Sequence, residues 1–447
     1  MEQLARYADA VEALLKEKGV TGYEIAAVNS RDLSLEAKEG KLDTFRFAEP
    51  SGVAVRVLAG EGLGFSFSTA LDRPALERMV EGALVAARLQ SPDPCHGFPA
   101  PAARYPEVPG LLDPHLSAVS EEEKIERVLE LERLVLARDP RLKRVRKCSY
   151  SDSRYETLIR NSHGLEAFYR GTQVSASVSV IAEEGGAAQM GWDFDYSNRY
   201  DGLDLATLAG RAARKATSLL GAGTLPTMRC PAVLDNRVTA DLLDVLSSSF
   251  LGENVHKGKS LLAGRVGERL LSERITIRDD GLRPGGMGTA PCDGEGVPQQ
   301  NTLLVEQGVM KGFLFDSYWG QRMGAASTGN SSRGGVTAPP RMGTHNLFIE
   351  PGNVTAEELL AGIGRGVLIT GVMGIHTANP ISGDFSVGAS GFYLENGEIV
   401  RPVKGIAIAG NLLEIFRGVD QVAGDLRFFG SSGAPSVRLA ELDVSGS

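Results

Sequence analysis

Metal chemistry needs ligands that converge, and the six histidines of this 447-residue chain, His96, His115, His163, His256, His345 and His376, never fall within five residues of one another. No helix can therefore present the pair of imidazoles, about one turn apart, that commonly holds a catalytic zinc. His256, His345, His376 and Cys292 could form a composite site only if the fold gathered them, and no spacing suggests that it does. The hydroxyl-rich stretches SSSF (247–250), SSRGG (331–335) and SSGAPS (431–436) lack the GxSxG elbow of a serine nucleophile, and hydroxyls cluster in turns for local hydrogen bonding in any case. GAGT, RPGGMG and TGNSSRGG lack the Lys-Ser/Thr of a phosphate loop and the strand–GxGxxG–helix setting of a dinucleotide site. Asp279–Asp280 and the Asp293-Gly-Glu295 group could act as acid and base or bind a cation, although neighbouring surface carboxylates are far commoner.

One segment remains with an unusual composition, His376–Gly391, HTANPISGDFSVGASG. It joins a pre-proline Asn379 and polar Ser382 and Asp384 to a run of small residues leading into a strand. Small side chains on a strand let another backbone come close, which suits an extended peptide laid edge to edge. His376, Asn379, Ser382, Asp384 and Ser386 are the peptide-binding candidates on this reading. Tight packing inside the chain would need the same small residues, and both readings stand at this point.

The elements that position these groups can be read from hydrophobic period. Leu4, Ala8, Val11 and Leu15 mark a first helix that Gly19 can end. Strand patterns come next at Tyr23–Val28, Leu33–Ala37 and Gly52–Leu58, where Val53, Val55 and Val57 alternate with Ala54, Arg56 and Leu58, and GFSFS resumes after a Gly60–Gly62 turn. Asp72 and Pro74 open a helix, and six prolines in residues 91–110 force an irregular connector. Ser120 and Glu123 have capping-box spacing for a helix to Ala137. From Leu142 to Gly185 the pattern is β again, with a turn near Asn161–Gly164 and alternation through Val174, Ala176, Val178 and Val180. A helix over Leu205–Leu220 closes this half.

Residues 221–231, GAGTLPTMRCP, read as a boundary, giving domains 1–221 and 222–447. The second opens on VLDNRVTADLLDVLSSSF, where Val238, Leu242, Leu243, Leu246 and Phe250 recur at helical steps after a capping Asp235 or Asn236. Beyond it β signals dominate: Thr302–Glu306 and Val309–Phe315 about Gln307–Gly308, Val367–Met373, and Gly391–Glu395 with Glu398–Val403 about Asn396–Gly397, a type I′ dipeptide. Thr355 with Glu358 and Asn411 with Glu414 have capping-box spacing. The expected class is α+β in two domains: an N-terminal antiparallel sheet with helices, and a C-terminal β-rich layered or barrel-like domain.

Composition limits the function. There are 47 basic and 56 acidic residues, a formal charge of −9, which disfavours a general nucleic-acid or membrane-surface binder. Cys95, Cys148, Cys230 and Cys292 show no CxxC spacing and read as reduced thiols. The N-terminus does not have the pattern of a signal peptide, and no apolar run reaches the roughly 18 residues of a membrane span, so a cytoplasmic location is expected.

Several stretches together resemble the TldD/PmbA family of peptidases: GVAVRV and GFSFST within 52–69, RNSHG at 160–164, FLGENVHKGKSLL through ITIRDD at 250–280, NPISGDFSVGASGFYLENGEIVRPVK at 379–404, and GNLLEIFRGVDQVAGDL at 410–426. They run through nearly the whole chain in the family's order. The resemblance implies dimers enclosing a cavity, and a catalytic branch, TldD, with an HExxxH helix and a C-terminal cysteine holding zinc. Here the corresponding helix reads TADLLDVLSSSF, and the stretch matching a Gly-x-Cys-Gly pattern reads Gly430-Ser431-Ser432-Gly433. With those ligands missing, the resemblance implies a PmbA/TldE-like subunit with no catalytic residue, metal ligand or cofactor of its own. Zinc would belong to a TldD-like partner in a heterodimer that takes extended or unfolded peptides, in peptide maturation or protein turnover. The alternatives are a homodimeric peptide-binding or regulatory protein, and an independent hydrolase with an unrecognised site.

Overall fold

The structure, a computed structural model, describes residues 1–446. Its first part is a seven-stranded antiparallel sheet in the spatial order Gly62–Ser68, Ser51–Ala59, Gly22–Lys38, Leu142–Asn161, Glu166–Glu184, Ala187–Ser197. Gly22–Lys38 is one continuous strand where the sequence suggests two. Its first half pairs with Ser51–Ala59 and its second half with Lys41–Ala48. Strand side chains alternate between faces, and the odd positions Ile25, Ala27, Leu33 and Leu35 are buried in the cores that the helices build. Glu2–Glu17 and Arg73–Leu89 cover one end of this face, and Glu121–Leu136 and Leu205–Thr217 cover the other. Asp72 and Ser120 cap their helices through Ala75 N and Glu123 N, but the box expected at Ser120 is half formed, since the Glu123 side chain does not return a bond to the Ser120 N–H.

Part of the opposite face of the sheet is also buried. Ile159, Leu165 and Ala167 form a small core with Cys292 of the C-terminal half, joined by Tyr105 and Tyr169. The proline-rich connector has no regular element in residues 90–113 and straps the two halves together. Asn161 donates to Pro99 O at 2.8 Å, Tyr105 Oη to Gly296 O at 2.9 Å, and Arg322 of the C-terminal half to Asp93 at 2.7 Å.

The C-terminal half is α+β with two six-stranded sheets and a two-stranded pair, Ser331–Ser332 with Arg341–Met342. Strands Glu398–Asn411, Asp384–Glu395, Arg365–Met373, Met228–Leu234 and Val437–Ser445 are neighbours in that order, and a further pairing of Glu398–Asn411 with Val437–Ser445 closes the five into a barrel. Six short strands form a second sheet, ending with Leu347–Ile349, Ser432–Ala434 and Arg427–Phe429. The helix Asn236–Ser247 fills the shared core: Val238, Leu242, Leu243, Leu246 and Phe250 are all fully buried, and Asp235 Oδ1 accepts from Val238 N at 2.8 Å.

Two local expectations need correction. The strand expected to run to Phe315 ends at Met310, because Leu314 instead exchanges main-chain hydrogen bonds with Phe250 and Gly252 beside the opening helix. Asn411 caps its helix through Leu413 N rather than in a box with Glu414, since its amide is turned to Ser382 O and Asp384. Among the described residues, no helix is long and apolar enough to cross a membrane.

Candidate functional site

The opening helix meets the C-terminal strands on its polar side. Ser432 Oγ donates to Asp244 Oδ1 at 2.8 Å. One turn earlier, Arg237 Nε donates to Asp241 Oδ1 at 3.0 Å, and the same guanidinium lies 5.0 Å from the centre of the Phe429 ring. Burial pushes the Asp241 carboxyl up, and Arg237 opposes the shift. Burial likewise raises the capping Asp235 to about 6, against the hydrogen bond from Val238. The hairpin that supplies Ser432, Arg427–Phe429 paired with Ser432–Ala434, is fixed to the N-terminal sheet as well: Arg427 donates to Asp193 and Phe194 O, and Tyr196 Oη donates to Gly430 O at 3.2 Å.

The residue before Ser432 opens onto a cleft of about 380 Å³ between the sheet and the C-terminal loops. Tyr155 and Tyr169 form one wall; Cys292, Ser331, Arg333, His345 and Ser431 are on the other. The two rings meet edge to face with centroids 6.4 Å apart. His345 is fully engaged: Nε2 lies 2.5 Å from Gly329 O and Nδ1 3.2 Å from Gln299 Nε2. Burial pushes the Cys292 thiol far up, so it stays protonated. Asp293 accepts from the main-chain N–H groups of Glu295, Val297 and Ser331. Burial and the adjacent Glu295 nevertheless raise it to about 8. Asp279 accepts from Asn330 and from His345 N, and burial raises it too.

Behind the cleft lies a buried chain of charges. Glu24 stands opposite Arg56 on adjacent strands and is 1% exposed. Arg56 Nε donates to Glu24 at 3.0 Å and Nη2 to Glu295 at 2.9 Å, and Arg333 Nη2 reaches Glu24 at 2.5 Å. These links join residues 239 and 309 positions apart, which no motif scan connects. The sequence signals are Arg56, a lone charge in a valine-rich strand, and Glu295 in the Asp293-Gly-Glu295 group.

The five peptide-binding candidates occupy one exposed corner of the barrel. Asn379 Oδ1 accepts from Ile381 N and Ser382 N, Ser382 Oγ from Asp384 N, and Asn411 Nδ2 bridges Ser382 O and Asp384 Oδ1. His376 lies in the turn Ile375–Thr377, and Ser386 points outward while Phe385 and Val387 point into the barrel. Pairing with Arg365–Met373 stops at Gly388, so an open edge near the candidates is short.

The histidines are not brought together. His256 packs against Trp319 and Arg322, His345 is buried on Gly329 O and Gln299, and among the described residues no group of three or more His, Cys, Asp or Glu side chains gathers to hold a metal. At the helix–Ser432 contact the donor set does not fit a catalytic zinc. It offers carboxylates and a hydroxyl without imidazole or thiolate, and Arg237 already places a positive charge on Asp241.

Comparison with known proteins gives matches along the chain. Residues 23–87, 114–220 and 227–446 match, in turn, domain 1, the central domain and the C-terminal domain of the PmbA/TldA metallopeptidases. The metalloprotease PmbA of Escherichia coli O157:H7 is 30% identical over 426 residues, covering 95% of this chain and 92% of that protein. TldE from Thermococcus kodakarensis superposes with a TM-score of 0.89 at 27% identity, over 98% of this chain and all of that one. A Thermotoga maritima chain described as a candidate modulator of DNA gyrase does so with a TM-score of 0.89 at 30% identity, over 99% of this chain and all of that one.

Proposed function

This chain belongs to the PmbA/TldD metallopeptidase family, and from that premise we propose that it is the non-catalytic, TldE-like subunit of a cytoplasmic zinc metalloprotease acting on extended or unfolded peptides. The observation that carries this reading is the contact between Asp244 and Ser432. The resemblance to TldD puts a zinc-holding helix and C-terminal cysteine at the stretches that supply these two residues, and here Arg237 pairs with Asp241 on the same helix. A catalytic zinc lowers the pKa of its bound water and polarises the scissile carbonyl; in this proposal that chemistry belongs to the partner chain. The role of this subunit is to complete the cavity, hold the peptide extended and exclude folded substrates. The corner at His376, Asn379, Ser382, Asp384 and Ser386 is one proposed peptide contact, through its short open strand edge.

The test is co-expression with a zinc-bearing relative encoded in the same genome, followed by cleavage of an unstructured peptide. The expected result is co-elution and cleavage accelerated by roughly tenfold or more over the partner alone, about 1.4 kcal/mol of transition-state stabilisation. A partner that cleaves equally well by itself, or never associates, would overturn the proposal. A stable homodimer of this chain with peptide affinity and no effect on any protease would favour the regulatory alternative.

A further inference from the structure

The cleft between Tyr155, Tyr169 and the C-terminal loops contains donor capacity that the protein does not use. Arg333 spends Nε on Gly294 O at 3.1 Å and Nη2 on Glu24, and its Nη1 is buried with no hydrogen-bond partner. The Arg333 side chain is only 5% exposed. Ser331, 1% exposed, likewise has a buried hydroxyl without a partner. Buried donors of this kind are costly unless something satisfies them. Both residues belong to the wall of the same cleft of about 380 Å³, a volume in the range of small-ligand pockets.

We propose that this cleft is a carboxylate-binding subsite, in which Arg333 and Ser331 take the carboxylate of a peptide and Tyr155 and Tyr169 pack on the adjoining residue. The assignment rests on the peptide-handling reading above and adds a specific chemical group to it. A guanidinium N–H and a hydroxyl suit the two oxygens of a planar carboxylate. A phosphate suits the cleft less well, because Glu24 and Glu295 stand behind it and already balance Arg56 and Arg333 one for one. Asp293, raised by burial and by Glu295 to about 8, adds little repulsion at neutral pH. Ser431 places this subsite beside Ser432 and the opening helix, where the partner reading expects peptide to pass.

The carboxylate could be a peptide C-terminus or an acidic side chain. Calorimetry on the full chain separates them with three probes: acetyl-Ala-Ala with a free C-terminus, the same peptide as its C-terminal amide, and acetyl-Glu-Ala amide. The free acid should bind about tenfold or more tightly than its amide, the usual consequence of losing a charged hydrogen-bond partner. Binding of the glutamyl amide would extend the site to side-chain carboxylates; its failure would restrict the site to C-termini. Ser331→Ala should weaken acid binding, and Ser332→Trp, an exposed change on the rim that leaves the buried charges alone, should block it. No binding of any of the three probes, binding of the alanyl amide as tight as that of either carboxylate-bearing probe, or unchanged carboxylate binding in Ser332→Trp would overturn the subsite. If the subsite fails while the two-chain complex still cleaves, the subunit reading survives; if the acid binds but the chains never associate, the subsite survives alone.

Discussion

Replacing Arg56 with methionine should lower stability by about 3–5 kcal/mol, the usual result of removing one partner from a buried ion pair. The change leaves Glu295, 3% exposed, with only the Ser317 N–H at 3.1 Å, and leaves Glu24 with Arg333 as its one remaining cation. A urea titration followed by far-UV circular dichroism reads the loss as a shifted midpoint at unchanged slope. Adding Glu295→Gln to Arg56→Met should recover part of it, because Glu24 and Arg333 then remain as a balanced pair and no unpaired carboxylate is left buried beside the methionine. The pH dependence has a defined sign. Burial alone would raise Glu24, but Arg56 and Arg333 together hold it below the usual carboxylate range. Its contribution is therefore complete above its unfolded pKa of about 4.3 and is lost as the pH falls through the lower folded value. In Arg56→Met the folded value should move up toward the unfolded one, so that this loss is smaller and is complete at a higher pH. A variant as stable as the parent would mean that the charges behind the cleft do not tie the two halves together.

Gly391→Val is expected to be at least as damaging. A Cβ at this position would lie 1.9 Å from Leu368 O and 3.0 Å from Ile369 Cα, both main-chain atoms of the neighbouring barrel strand. Neither can retreat without opening the barrel, so the cost should exceed the 1–3 kcal/mol common for overpacking, reaching roughly 3 kcal/mol or more. Insoluble protein, or a thermal midpoint lowered by several degrees, would agree; a soluble variant with the parent's midpoint would not. The backbone that comes close at Gly391 is the protein's own. The sequence left two readings of the small residues in 376–391, and at this position internal packing explains them. Ala389, 1% exposed in the barrel, belongs with Gly391, whereas Ser386 faces out.

Elements with a local cause were legible. The opening helix has its apolar stripe and cap within 16 residues, Asp235 to Phe250, and all five expected core residues are buried. The Asn396–Gly397 turn has both residues at positive φ, 52° and 80°, as the dipeptide predicts. Lys41–Ala48 gave no strand signal because it is largely exposed on both faces, so burial imposes no alternation. Ala187–Ser197 was hidden for a different reason: Trp192 and Met190 lie exposed among polar neighbours, which blurs the period. The site divides in the same way. That no HExxxH stretch and no cysteine at 430–433 is present can be read directly, whereas the Asp244–Ser432 contact, the cleft and the Glu24–Arg56–Glu295–Arg333 chain join positions far apart in sequence. Arg56 looked like the outward member of an alternating strand, and only the packing of the second half against that face buries it.

The central claim is that the zinc of the complex sits on the partner and that this chain contributes no ligand. The most direct measurement is metal content of the purified two-chain complex and of this chain alone, repeated with Asp241→Asn and Asp244→Asn. The expected result is one zinc per heterodimer, none retained by this chain alone, and no change in metal content in either variant. Stoichiometric zinc on this chain alone, lost on substitution of Asp241, Asp244, His256, His345 or His376, would contradict it.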